Sequence, residues 1–175
     1  MADRLRQLPA RLFGELPPGL TVHPSAPEDR AFLREVYAST RVDELAPVPW
    51  AEAEKLAFIT EQFEAQDRAY RAAYPDGRFL VVEDRDTPIG RLYIATLADE
   101  LRVIDIALLP DHRGRGIGTA LIAAVIAEAE SAGLAVRLHV EPWNPARRLY
   151  LRLGFLPGPV TGIYERLERP PPSIS

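Results

Sequence analysis

Asp105-Ile106-Ala107-Leu108-Leu109-Pro110-Asp111-His112-Arg113-Gly114-Arg115-Gly116-Ile117-Gly118-Thr119-Ala120 reads as an apolar strand stopped by a proline, a loop with glycine at every second position, and the start of a helix that is apolar almost all round. A helix start leaves several backbone N–H groups unpartnered and carries partial positive charge, so it attracts phosphate. Gly114, Gly116 and Gly118 have no Cβ to hold a bulky anion away, and glycine tolerates the positive φ that curls successive N–H groups inward. Arg113 and Arg115 add permanent charge beside that cradle. A strand-to-helix turn built only for tight packing needs fewer glycines and no arginine pair.

Three phosphate-binding templates compete for the loop. A Walker P-loop is excluded because no Gly-Lys-Ser/Thr follows. The dinucleotide fingerprint comes closer, since Glu141 closes the next apolar strand about where a ribose-binding acid belongs. That fold, however, needs further βαβ units after the acid, and only 34 residues follow Glu141. The glycines are also compressed, G-x-G-x-G in place of G-x-G-x-x-G.

Arg113-x-x-Gly116-x-Gly118 resembles the Gln/Arg-x-x-Gly-x-Gly/Ala motif of the GCN5-related N-acetyltransferase (GNAT) superfamily. A second element follows: residues 144–155, with Asn144, Ala146 or Arg147, Tyr150, Gly154 and Phe155, resemble that superfamily's Asn-x-x-Ala-x-x-x-Tyr-x-x-x-Gly-Phe pattern with one residue of slack. The two motifs stand in the right order, separated by one helix and one strand. The resemblance runs from about Arg102 to Phe155 and fades before Leu80. It implies acetyl-CoA as cosubstrate, no metal, and a cofactor-binding set of Ile106, Ala107, Leu108, Arg113, Gly114, Arg115, Gly116, Ile117, Gly118, Thr119, Asn144 and Arg147. Within that set the loop grips the pyrophosphate, and the pantetheine arm pairs with backbone groups of Ile106 and Leu108 like an added strand. The acetyl carbonyl then lies near the Leu108 and Leu109 backbone, where an N–H stabilises the oxyanion.

Composition sets the outer limits. A chain of 175 residues with 47% hydrophobic content forms one domain with a real core. With no cysteine, disulfides, thiolate metal sites and a cysteine nucleophile are ruled out. A net charge of −4 argues against nucleic acid as an obligatory partner. Prolines and acids interrupt the leucines of residues 1–18, so that stretch reads as an extension rather than an export signal, and the apolar run from Gly116 to Ala127 is too short to span a bilayer. A cytoplasmic enzyme without a membrane partner is the expectation. The domain is expected over residues 19–169, with residues 170–175 as a proline-rich flexible tail.

The remaining pattern fills in an α/β (α+β) fold. Leu20 and Val22 alternate in an opening strand; Ser25 and Glu28 suggest a capping box for a helix ending near Thr40, and residues 41–49 read as a loop. A long second helix opens at Pro49 or Trp50 and carries Leu56, Ile59, Phe63, Tyr70 and Tyr74 as a core-facing stripe. Pro75-Asp76-Gly77 stops it, and three strands then form an antiparallel meander that feeds the glycine loop. After the loop's helix, residues 135–140 form a strand parallel to the one before the loop. The expected sheet is mixed and mostly antiparallel, with helices on both faces and a parallel pair that splays apart after Leu108 and Val140.

Tyr150 is the expected general acid: its place matches the superfamily's tyrosine, and a phenol stays protonated at neutral pH. Asn144 suits a helix cap, with a pantetheine contact added by the resemblance. Glu141 is the expected base, with Asp105 or water behind it; His139 shares the Glu141 face and reads as a packing residue. Glu44, Trp50 and Tyr164 are candidates for contact with the acceptor, a small-molecule or peptide amine. A homodimer is among the assemblies the resemblance allows. Acyl transfer from another CoA thioester, or a CoA-sensing module with little catalysis, are the alternatives.

Overall fold

The computed structural model describes residues 16–173. The extension expected over residues 1–18 therefore lies, as far as residue 15, outside the described residues, as do the last two residues of the tail. The elements run β1 (Leu20–Pro24), α1 (Arg30–Ser39), α2 (Val42–Leu45), α3 (Glu52–Ala73), β2 (Arg78–Asp84), β3 (Thr87–Thr96), β4 (Glu100–Leu108), α4 (Ile117–Ala132), β5 (Ala135–Val140), α5 (Ala146–Arg152), β6 (Leu156–Thr161) and β7 (Tyr164–Arg169). All seven strands join one sheet in the order β1-β2-β3-β4-β5-β7-β6. Only β4 and β5 run parallel.

α4 packs on one face of the sheet because its apolar positions recur at helical spacing: Leu121, Ile122, Val125, Ile126 and Ala129 are buried against Leu92, Ile94, Leu101, Leu138 and Leu167. Each large aliphatic side chain buried there contributes about 1.5–3 kcal/mol. Gly133, at φ +67°, closes the helix in the left-handed conformation that glycine adopts without strain. On the opposite face α1 and α3 bury Leu33, Tyr37 and Phe63 against Val81. The β2–β3 hairpin turns through Arg85 and Asp86, both at positive φ, as a two-residue turn matched to strand twist requires.

Four expectations are corrected. The Ser25–Glu28 capping box does not form; one residue later only its reciprocal half appears, the Ala26 N–H donating to Asp29 Oδ2 at 2.8 Å, because Pro27–Asp29 first makes a short 3-10 turn. Residues 41–49 are not wholly loop but include the single turn α2. The α3 stripe is core only in its middle: Phe63 is buried, whereas Leu56 is 59% exposed. Leu56 lies near the start of α3, which at 22 residues is far longer than the ten-residue α1. Asp67 occupies the buried stripe position after Phe63, neutralised by Arg30 and Arg71 at 3.3 and 3.1 Å. The stretch Leu156–Pro159, whose two prolines predict a turn, instead begins the edge strand β6, whose residues are all exposed.

Candidate functional site

β4 and β5 pair over only three positions, Glu100↔Ala135, Leu101↔Val136 and Arg102↔Arg137. Just beyond, Ile94 faces Val103 and Tyr93 faces Asp105, which leaves Ile104 unopposed as a bulge in β4. A bulge bends its strand and adds twist, so the far half of β4 turns away from β5. The splay therefore opens several residues earlier than the Leu108 and Val140 ends expected from sequence.

Register decides which backbone groups face the gap. The Leu109 N–H donates to the Ile89 carbonyl at 2.8 Å, which sets the phase of the β3–β4 ladder. Antiparallel geometry then makes Arg91 and Ala107 the pair that exchanges both bonds, and turns the N–H and C=O of Ile106 and Leu108 toward the opening. The strand-like pairing expected of Ile106 and Leu108 is thus geometrically available, and Ala107 instead faces β3. Leu109 is corrected as an oxyanion donor because its N–H is occupied; Leu108 N–H is the one left. β3 approaches closely enough that a Cβ on Gly90 would lie 2.4 Å from the Ala107 carbonyl oxygen.

The glycine loop lies at the end of β4. Gly114 and Gly116 stand at φ +70° and +80°, and Gly116 caps α4, accepting the Ala120 N–H at 3.0 Å. A Cβ on Gly114, Gly116 or Gly118 would meet no atom within 4 Å, so the cradle is open on its outer side. Ile117, Gly118 and Thr119 form the first turn, whose N–H groups have no earlier carbonyl to bond within the helix. Arg113 turns away from the cradle: it donates to the Leu108 carbonyl at 2.9 Å and to Ser39 Oγ at 3.3 Å, tying loop to strand end and to α1. Arg115 lines a cleft of about 230 Å³ with Pro17, Pro18, Arg85 and Ile117.

α5 closes the other side. Asn144 Oδ1 accepts the Ala146 N–H at 3.0 Å, the expected cap, and its amide donates to Glu141 Oε2 at 3.3 Å. Arg147 forms a two-pronged pair with Glu165 at 2.6 and 3.1 Å, which holds that carboxyl below its usual range and engages Arg147 within the protein. Tyr150 is buried, with its ring edge-on to Phe155 at 5.7 Å. Burial and then the Asp105 charge push its phenol up to about 12. Asp105, 24% exposed, is ion-paired to Arg91. His139 lies on the exposed side of β5, where partial desolvation and the cations Arg102 and Arg166 hold its imidazole below the usual range. Glu44 pairs with Arg41 at 3.0 Å, Trp50 is 42% exposed and packs edge-on to Phe58, and Tyr164 is 46% exposed.

Arg91 is the site residue that reading from sequence misses. Its only signal was an arginine alternating with Tyr93 on one face of an otherwise apolar strand. Among the described residues no group of three His, Asp or Glu side chains is arranged to hold a metal, and no helix is long and apolar enough to cross a membrane.

The chain is 35% identical over 68 residues to the [ribosomal protein bS18]-alanine N-acetyltransferase of Haemophilus influenzae, a match over 38% of this chain and 47% of that one, so the chain spans about half the length of the curated relative it matches. Its fold matches the PaiA N-acetyltransferase of Thermoplasma acidophilum in complex with coenzyme A, with a TM-score of 0.65 at 22% identity over 86% of this chain and 98% of that one. It matches equally a histone acetyltransferase HPA2-related acetyltransferase of Corynebacterium glutamicum, with a TM-score of 0.63 at 22% identity over 90% and 98% of the two chains. The model of the Acetyltransferase (GNAT) family matches residues 40–155, from the end of α1 through the Gly154-Phe155 turn, so the splayed pair, the glycine cradle and the Tyr150 helix all fall inside it, and the chain belongs to that family of N-acetyltransferases.

Proposed function

We propose that the chain transfers the acetyl group of acetyl-CoA directly to a primary amine, with Tyr150 as general acid. The observation that carries this reading is the coincidence of three things at one opening: outward-facing backbone of Ile106 and Leu108, the Gly116 cradle, and the buried Tyr150. The neutral amine attacks the thioester carbonyl carbon, and the C–N bond forms as negative charge gathers on oxygen beside the Leu108 N–H. The C–S bond then breaks, the Tyr150 hydroxyl gives its proton to the leaving sulfur, and the ammonium proton passes to Glu141 directly or through water. A phenol pushed up to about 12 remains a donor throughout the working range.

The loop residues Gly114, Arg115, Gly116, Ile117, Gly118 and Thr119 hold the diphosphate through backbone N–H groups, and Asn144 reaches the pantetheine amides while capping α5. Arg113 acts by fixing the loop against Leu108. Arg147 serves the cofactor only by exchanging part of its Glu165 pair for a phosphate oxygen. A peptide amino terminus is the favoured acceptor class, supported by the similarity to an enzyme named for a protein alanine amine. A panel of small amines and peptides assayed for thiol release from acetyl-CoA tests the reading. Turnover by wild type that Tyr150→Phe slows without loss of CoA affinity supports it; absence of CoA binding overturns it.

A further inference from the structure

Arg91 is 3% exposed in the middle of β3, and a guanidinium does not lose its charge at such a place. Its neighbours neutralise it: Asp105 across the strand pair, Gln66 Oε1 at 2.9 Å on α3, and the faces of Tyr93 and Tyr37 at 4.9 and 5.9 Å. A buried pair of this kind adds little net stability over apolar side chains of similar volume, so stability alone does not account for it. Two further facts separate it from a closed structural pair. Arg91 Nε and the Tyr93 hydroxyl are both buried without a hydrogen-bond partner among the described residues. Asp105 is the exposed end of the unit, opposite Tyr93 and one residue past the Ile104 bulge, and its charge is felt by Tyr70 on α3 and by Tyr150 on α5.

Resting on the acetyltransferase reading, we propose that Asp105 docks the ammonium of the acceptor at the mouth of the splay, and that Arg91 is the positioning residue that holds its carboxylate there. The groups facing Asp105 are Arg91 and Tyr93 from β3, Tyr70 from α3 and Tyr150 from α5. Arg91 supplies the only charge among them. The amine thus arrives at the splay still protonated, from the sheet face that α1 and α3 cover.

Calorimetric titration of the CoA-saturated protein with L-alaninamide tests this without turnover. Asp105→Asn is expected to weaken L-alaninamide at least about tenfold, because the ammonium loses its countercharge, with CoA affinity kept within about twofold. Arg91→Gln is expected to weaken L-alaninamide severalfold with CoA affinity kept, because the Asp105 carboxylate loses the partner that fixes it, and Arg91→Lys is expected to restore part of the loss. Thermal melting identifies a variant that fails to fold, and Asp105→Asn then decides alone. Equal affinity of wild type and Asp105→Asn, or no binding of L-alaninamide to CoA-loaded wild type, overturns the proposal. Absence of CoA binding in wild type instead overturns the acetyltransferase reading.

Discussion

The two ends of β4 are built on opposite principles. At its start, Glu100–Arg102 is zipped to β5, and the buried Glu100 carboxylate is pinned by Arg102 and Arg137, the latter also paired with Glu168. At its finish, beyond Ile104, the strand has β3 on one side and open backbone on the other. One strand thus carries both an anchored edge and an unpaired one, and the bulge divides them. Ion pairs crowd the anchored end, whereas the open end has tyrosines, glycines and one buried Arg91–Asp105 pair. A hydrogen-bond ladder that ran to the end of β4 would leave a ligand nothing to pair with.

Altering the open end should change chemistry more than stability. Tyr150→Phe removes the proton donor and is expected to lower kcat by about 10²–10³-fold in a thiol-release assay, with CoA affinity by calorimetry nearly unchanged. Altering the anchored end should do the reverse. Glu100→Ala leaves Arg102 and Arg137 without their shared carboxylate and is expected to cost about 3 kcal/mol in denaturant unfolding, while CoA affinity at constant folded fraction holds. If that variant instead loses CoA affinity and keeps its stability, the division of labour along β4 is wrong. Gly116→Ala places a Cβ on a residue at φ +80° and is expected to weaken CoA about tenfold, from about 1–2 kcal/mol of backbone strain at the cradle. The smallest effect is in pH. Folding raises the Tyr150 phenol from the ordinary 10.0 to about 12, so the protonated donor persists above the pH where a free tyrosine ionises, and kcat should not fall on its account below about pH 10. An earlier fall that disappears in Tyr150→Phe would place the phenol in a wetter setting.

What is legible in the sequence follows how local each feature is. The glycine loop, α4 with its Gly133 stop, the Asn144 cap and the β2–β4 meander each depend on residues close together in the chain, and turn chemistry with periodicity suffices to find them. The parallel pairing of β4 and β5 is legible too, since a crossover containing α4 permits it. The bulge at Ile104 is not, because nothing in its own sequence distinguishes it; it exists through the register with β3. Arg91 is hidden for the same reason, its meaning residing in Asp105, Gln66 and Tyr37, which come from three different elements. The exposure of Leu56, near the start of a helix far longer than α1, is a matter of relative length rather than periodicity. The inward turn of Arg113 depends on the Leu108 carbonyl being free of β5.

β6 has a consequence of its own for handling the protein in solution. An outermost strand with apolar Leu156 and Val160 more than half exposed would normally invite a neighbouring molecule to extend the sheet and seed fibres. Pro157 and Pro159 carry no amide hydrogen, and the register shift between Pro157 and Val160 distorts the strand, so an incoming chain finds an interrupted ladder. Replacing both prolines with valine would convert a self-limiting border into a polymerisation template, visible as thioflavin-positive aggregates at concentrations where the native chain remains clear.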